Sequence, residues 1–278
     1  SCIFSCGRKG GVCLIELKHV DAGYGGEAVV QDISVRFEPG CVTSILGKNG
    51  CGKSTLLKTA ARQQKPLSGQ ILLDGRDIFT IPPKEFARMA AVLPQSREVP
   101  AIPARSLVMH GRFPYLGFPR RPTPADHAAV ERAMHDAGAW EYRDSYLTQL
   151  SGGERQKVYL AMVLAQDTGV VFMDEPATYL DISHQFEILR LMRTLRGAGK
   201  TVVTVLHDLG QALSVSDRIL LLDGGRAVFF GDPDALFQSG KLDEVFGIRS
   251  QKITIDGAEE YIFRPAHPGD PNGKGDPS

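Results

Sequence analysis

The 278-residue sequence predicts an α/β fold with a mostly parallel sheet covered by helices, and three observations carry this. Short, β-branched apolar runs of strand length recur along the chain and alternate with helix-length amphipathic segments. Glycine and proline punctuate the junctions between them. Several units read strand, loop, helix in that order, which is how a parallel sheet is wound.

In chain order, "CLIELKHV" and "DISVRFEPGCVTSIL" read as short strands broken by "DAGYGG" and "EPG". "TSILGKNGCGKSTLLKTAAR" reads as strand, glycine loop and helix, and "GQILLDG" as a further strand. From about Gln95 to Ala165 the character changes. Proline and glycine punctuate "REVPAIPARSLVMHGRFPYLGFPRRPTP", and the helical run "ADHAAVERAMHDAGAW" follows from a Thr/Pro start. "LSGGERQKV" is a polar, glycine-paired turn entering a helix. Alternation then resumes: "GVVFMD" is a strand, "ISHQFEILRLMRTLRGAG" a helix ending at glycine, and "TVVTVL", "RILLLDGG" and "RAVFFG" are strands. The middle segment is therefore a helical insertion, and the Pro/Gly-rich tail after Pro265 is expected to be disordered.

Composition narrows the function classes. Thirty-two basic residues balance thirty-two acidic ones, so nothing favours bulk attraction to nucleic acid or to an anionic membrane, and no nucleic-acid partner is expected. The longest apolar runs are strand-sized, far short of the roughly 18 to 20 residues of a membrane helix, and "SCIFSCGRKGGVC" makes a poor signal peptide. Cys2, Cys6 and Cys13 crowd the N-terminus, but their spacing fits no zinc pattern. With Cys41 and Cys51 the total is five, an odd number that argues against a disulfide framework and for a reducing cytoplasm.

The chemistry concentrates in four short stretches. "GKNGCGKS", Gly47 to Ser54, matches G-x-x-x-x-G-K-[ST] between an apolar strand and a helix, the context that a phosphate-binding loop requires. Gly47, Gly50 and Gly52 let backbone N–H groups turn inward, Lys48, Asn49 and Cys51 complete the loop, and the helix starting near Ser54 and Thr55 adds its dipole. Lys53 is placed to reach the β- and γ-phosphates, and Ser54 to ligate Mg²⁺. In "GVVFMDEP" four apolar residues lead to Asp174 and Glu175. Such a pair alone fits a helix cap or solvated turn equally well; beside a phosphate loop, Asp174 fits the Mg²⁺-organising role and Glu175 that of polarising an attacking water. His207 lies at the end of the strand in "TVVTVLHD", where a lone histidine is ordinarily structural. "LSGGE" is a second glycine-rich anion cradle about a hundred residues after the first, and its presence needs a reason.

The series P-loop, "LSGGERQ", "VVFMDEPATYLD", "TVLHD" resembles the nucleotide-binding subunit of an ABC transporter from about Leu14 to Gly247. The resemblance supplies the reason. In that family two subunits form a head-to-tail dimer with two ATP molecules between them, and the signature Ser151, Gly152 and Gly153 of one copy closes over the γ-phosphate held by the P-loop of the other. The resemblance further implies that Tyr24, in "GYGG", is the A-loop aromatic stacking on adenine, with a plain turn tyrosine as the alternative. Gln95, in "VLPQ", would be the Q-loop residue touching the metal or water, His207 the γ-phosphate sensor, and Asp181 the D-loop aspartate at the dimer interface. Lys48 and Ala177 depart from the family's common residues, and neither departure removes a group that contacts the reacting phosphate. The implied fold is a P-loop ATPase core with an antiparallel β subdomain and a helical insertion. Residues 14–264 would form the ATPase domain: 14–94 and 166–264 the core, 95–165 the helical subdomain. Residues 1–13 would be an N-terminal extension and 265–278 a tail.

"SLVMHGRFPYLGF", "LAQDTGVVFMDEPATYLDISHQ" and "VLHDLGQAL" resemble the ATPases of iron-chelate, haem and cobalamin importers. ATP and Mg²⁺ are then the implied ligands. A second copy, separate membrane permeases and, indirectly, a substrate-binding protein are the implied partners, at the cytoplasmic face of the membrane. Two other classes remain. ABC ATPases of DNA repair and chromosome structure carry long coiled coils or zinc insertions, which the compact insert lacks; a soluble ATPase of the iron–sulfur assembly type can look similar. The basic "FPRRP" stretch fits a permease contact or a solvated face.

Overall fold

The structure, a computed structural model, describes residues 13–93, 99–177, 181–255 and 258–266. The chain runs β1 (Ile15–Tyr24), β2 (Glu27–Phe37), β3 (Val42–Leu46), α1 (Lys53–Ala60), β4 (Ser68–Leu73), β5 (Arg76–Asp77), α2 (Pro83–Met89) and β6 (Ala90–Leu93). It continues through α3 (Ala104–His110), α4 (Pro124–Asp136), α5 (Gly152–Gln166), β7 (Val170–Asp174), α6 (Ile182–Gly197), β8 (Thr201–Val205) and α7 (Leu209–Val215). It closes with β9 (Arg218–Asp223), β10 (Arg226–Gly231), α8 (Pro233–Ser239), α9 (Lys241–Phe246), β11 (Ile248–Ile255) and β12 (Ala258–Pro265).

The strands form three sheets: β2-β1-β4-β5, β10-β9-β3-β8-β7-β6 and the hairpin β11-β12. The six-stranded sheet is parallel from β9 to β6, with β10 antiparallel at its edge. The four-stranded sheet is antiparallel throughout. Burial follows from this difference. Every residue of β3, β7 and β8 is buried, because helices or a second sheet cover both faces of a parallel sheet. The second half of β2 alternates instead, with Ile33, Val35 and Phe37 inside and Ser34 and Arg36 outside.

Two apolar clusters sit on opposite faces of the large sheet, and the strand period of two divides the residues between them. Val171 and Met173 of β7 join Leu107, Val130, Val158 and Ile188 on the side of α3 to α7. Val170 and Phe172 join Leu56, Ile33, Phe37 and Ile71 on the side of α1 and the four-stranded sheet. Helices α4 to α8 start where a side chain can hold a free N–H group. Thr123, Ser151, Asp181, Asp208 and Asp232 each accept from the backbone N–H three residues on. Among the described residues no helix is long and apolar enough to cross a membrane. Cys13 and Cys51 are buried and Cys41 is half-buried, all three as thiols, and no metal-binding group of His, Cys, Asp and Glu occurs among the described residues. Cys2, Cys6 and the tail from residue 267 lie outside them.

One polar cluster ties the segment between β6 and β7 to the sheet. Arg112 Nε donates to Asp126 Oδ1 at 3.1 Å, and Arg112 also donates to the Ala165 carbonyl at 2.7 Å, near the end of α5. Tyr115 donates to the Gln166 carbonyl at 2.8 Å, and Gln166 Nε2 donates to the Ala87 and Ala90 carbonyls at 2.7 and 3.2 Å. The "HGRFPYLGF" stretch thus serves as a clamp on the C-terminal end of α5. Burial pushes the Asp126 carboxyl up, but the bonds from Thr123 and the Arg112 guanidinium outweigh it and hold it below the usual aspartate range. Removing the guanidinium alone would leave a buried carboxylate without its cation. Arg112→Ala should therefore lose about 3 kcal/mol of stability in urea unfolding at neutral pH. Because the carboxyl is held low, the wild-type advantage is full above the ordinary aspartate pKa and fades as the pH falls through the lowered one. The gap between wild type and variant should narrow on acidification.

Candidate functional site

β3, β8 and β7 are adjacent and parallel, so their C-terminal ends lie side by side on one edge of the sheet. That edge is where open α/β sheets place their ligands. It carries the glycine loop 47–52 after β3, Asp174 and Glu175 after β7, and Leu206 and His207 after β8.

The loop's conformation requires glycine at two positions. Gly47 has φ +148°, and a Cβ there would lie 2.4 Å from the Leu222 carbonyl oxygen. Gly52, which precedes α1, has φ +98°, and a Cβ would meet Val30 Cγ1 at 2.3 Å. The loop therefore lies against β2 and β9 too closely for any side chain. Lys48, Asn49 and Gly50 are exposed at its tip, whereas Cys51 and Thr55 are buried beneath it. Burial pushes the Cys51 thiol above its ordinary value. Lys53, only 6% exposed, folds back across the loop and donates to the carbonyls of Gly47 and Lys48 at 2.8 and 3.0 Å. An ammonium on the rim of a turn that opens a helix is a cradle for an anion.

Ser54 Oγ donates to Asp174 Oδ1 at 2.9 Å across two strands of the sheet, and Lys58 Nζ lies 4.0 Å from Asp174 Oδ2. Burial pushes the Asp174 carboxyl above its usual value, and Glu175 adds to this, while the Ser54 hydroxyl and the Lys58 ammonium pull the other way. A hydroxyl and a carboxylate oxygen side by side at the inner end of the loop are the hard donors that suit Mg²⁺. Lys58 was not legible as a participant, although its position four residues after Ser54 on α1 places it on the same helix face. Glu175 sits in the left-handed region at φ +48°, unusual for a side-chain-bearing residue. Its N–H donates to the Val205 carbonyl at 3.2 Å, and His207 Nε2 donates to its Oε1 at 2.7 Å. The strand-end histidine thus has the Glu175 carboxylate as its partner.

The second cradle is elsewhere. Ser151 caps α5 in a capping box: its Oγ accepts from Glu154 N at 3.3 Å while Glu154 accepts from Ser151 N at 2.7 Å. Gly152 and Ser151 are exposed, and the Ser151 side chain also leans on the Glu154 carboxylate, which the Ser151 backbone N–H, and after it this side chain, hold below its usual value. α5 packs against β6, which lies three strands from β3, about 14 Å away at the usual sheet spacing. Among the described residues no hydrogen bond or ion pair joins 150–153 to the loop 47–55. Asp181 caps α6 and is exposed. Tyr24 is 58% exposed at the tip of the β1–β2 hairpin, which reaches the loop through Val29 and Val30 against Gly52, while Gln64 beyond α1 donates to the Gly23 carbonyl. Gln95 lies outside the described residues.

The ABC transporter family model matches residues 30–178, more than half of the chain. The petrobactin import ATP-binding protein YclP of Bacillus subtilis (strain 168) is 38% identical over 252 residues, covering 90% of this chain and 99% of that protein. The ferric enterobactin transport ATP-binding protein FepC of Escherichia coli (strain K12) is 39% identical over 233 residues, with coverages of 83% and 86%. Among solved structures, a chain of a metal-chelate type ABC transporter in an inward-facing conformation superposes with a TM-score of 0.79 at 24% identity, covering 92% of this chain and 98% of that one, a likeness in fold. A phosphate loop, a strand-end acidic pair, a strand-end histidine and a separate signature helix on this fold have one common explanation: the chain belongs to the ABC transporter family and is its ATPase component.

Proposed function

We propose that the chain is the ATP-hydrolysing subunit of an importer for a ferric siderophore, bound at the cytoplasmic face of the cell membrane to separate permease subunits that receive cargo from a substrate-binding protein. The observation that supports the chemistry is the meeting of Lys53, Ser54, Asp174, Glu175 and His207 at three neighbouring strand ends. The cargo class rests on the import functions that the petrobactin and enterobactin relatives carry in their names. Nothing favours an iron–sulfur assembly role. Residues 14–264 serve as the ATPase domain, with 95–165 as the helical subdomain that meets the permease.

Each residue then has a task. Tyr24 stacks on adenine. Gly47 to Thr55 wrap the phosphates, and Lys53 exchanges a carbonyl acceptor for β- and γ-phosphate oxygens. Ser54 and Asp174, joined by Gln95, hold Mg²⁺, which when bound neutralises phosphate charge. Glu175 takes a proton from the attacking water as that oxygen bonds to the γ-phosphorus and the bond to the β–γ bridging oxygen breaks, releasing ADP. His207 orients Glu175 and the γ-phosphate. Ser151 to Gly153 of a second copy close the site from the opposite side, with Asp181 at the same interface. This explains a signature helix that stands apart from its own phosphate loop, and two-fold symmetry makes two sites from one pair of motifs.

Glu175→Gln keeps the shape of the side chain but removes its basicity. ATP binding should persist while turnover falls by about 10² or more, and the variant should accumulate as an ATP-bound dimer on size exclusion; normal turnover would remove Glu175 from its role. Cysteines placed at Ser151 and at the exposed Asn49 on differently tagged chains should crosslink between copies in the presence of ATP. A crosslink confined to single chains would refute the shared site. For the cargo, the chain co-expressed with its co-purifying permease should support ATP-dependent uptake of a ferric siderophore into vesicles. Uptake of haem or cobalamin in its place would reassign the cargo.

A further inference from the structure

Asp181 Oδ1 accepts twice from His184: from the backbone N–H at 2.9 Å, and from the ring Nδ1 at 2.7 Å. These bonds, the backbone one foremost, hold the Asp181 carboxyl below its usual value. The far side of the same ring lies on the first turn of α5. A Cβ at Gly153 would fall 2.5 Å from His184 Nε2, 2.7 Å from Cδ2 and 2.8 Å from Cε1. The imidazole thus lies directly over Gly153. One turn further along both helices Lys157 Nζ pairs with Glu187 Oε1 at 3.2 Å. On the other flank Gln211 Nε2 of α7 donates to Gln185 Oε1 at 2.8 Å. The first turn of α6 is thus a junction between the signature helix and the helix that follows His207. The ion pair is half-exposed on the glutamate side and weak for that reason. The imidazole is 29% exposed and touches both elements, so it is the stiffer link.

We propose that His184 is a positioning residue that locks the start of α5 to the cap of α6, so that Ser151–Gly153 and Asp181 approach a second copy's nucleotide as one body. This rests on the shared-site reading, in which both elements face that nucleotide. His184 itself touches no reacting atom. Its removal leaves the phosphate loop intact and loosens the group that closes over it.

The test uses the full chain and three readouts: affinity for a fluorescent ATP analogue and kcat for ATP hydrolysis, both in the otherwise native sequence, and yield of the crosslink between copies in the Ser151 and Asn49 cysteine background. In His184→Ala the affinity should stay within about twofold. kcat should fall about 10- to 100-fold, the range expected when a catalytic group is displaced without being removed, and the crosslink yield should fall with it. His184→Asn keeps an N–H where Nδ1 stands and should recover part of both losses. Wild-type kcat in His184→Ala overturns the proposal. So does loss of nucleotide affinity in step with kcat in both variants, which marks a role in folding alone, or a His184→Asn variant no better than His184→Ala. Crosslinking undiminished in His184→Ala overturns the proposal alone. A pair that never crosslinks between copies in the parent background overturns the shared-site reading and the proposal with it.

Discussion

The parallel hydrogen-bonded ladder β3–β8–β7 is the constraint on which the site depends. Its register pairs Ile45 with Val205, and Asp174 with the same Val205 from the other side, so three chain segments end at one level. A one-residue slip would turn every side chain of a strand to the opposite face, and the two apolar clusters on the two faces forbid it. Asp174 is the last residue of β7, and its position in the ladder brings it within bonding distance of Ser54, 120 residues away in sequence. The next residue, Glu175, takes a left-handed backbone conformation and swings toward His207. Rigid strands thus carry an acid pair and a histidine to a loop whose glycines pack too closely against β2 and β9 to accept a side chain.

The signature helix follows a different logic. Its N-terminus is exposed, but both ends of the helix are anchored. At the C-terminal end Ala165 and Gln166 are gripped by Arg112 and Tyr115, and the Gln166 side chain reaches the α2–β6 junction. At the N-terminal end Gly153 lies under His184, and Gln156 donates to the Pro176 carbonyl at 3.2 Å, just after the acidic pair. A helix tied at both ends moves as a lever rather than as a loop. The contacts run without a break from the segment between β6 and β7 to Ser151.

Some elements escaped the sequence pattern. The hairpin of β11 and β12 went unassigned because its alternation is diluted: Tyr261 and Phe263 turn inward beside exposed Ile262 and Arg264, so the apolar period is weak. Its place became definite only where Phe263 packs on the cluster beside α7. α2, α8 and α9 are short, and in the space of one or two turns a helix shows too few residues for periodicity to declare it; the four residues of β6 likewise show too little alternation. The "HGRFPYLGF" stretch was legible as a motif, but not as a clamp, since its partners Asp126, Ala165 and Gln166 come from two other helices.

By itself the sequence determined the α/β alternation, the phosphate loop, the acidic pair and the family, because each is written in local spacing: glycine, lysine and hydroxyl within one turn, or an apolar strand running into two carboxylates. Local spacing also carries the capping residues that begin α4 to α8. Only the tertiary structure decided which distant groups meet. Strand order set His207 on Glu175 and Ser54 on Asp174, and helix packing set His184 on Gly153. Such meetings depend on which strand lies beside which, and on the fit of one helix face against another. Those are sums over many weak contacts between residues far apart in the chain, which no short window of sequence contains.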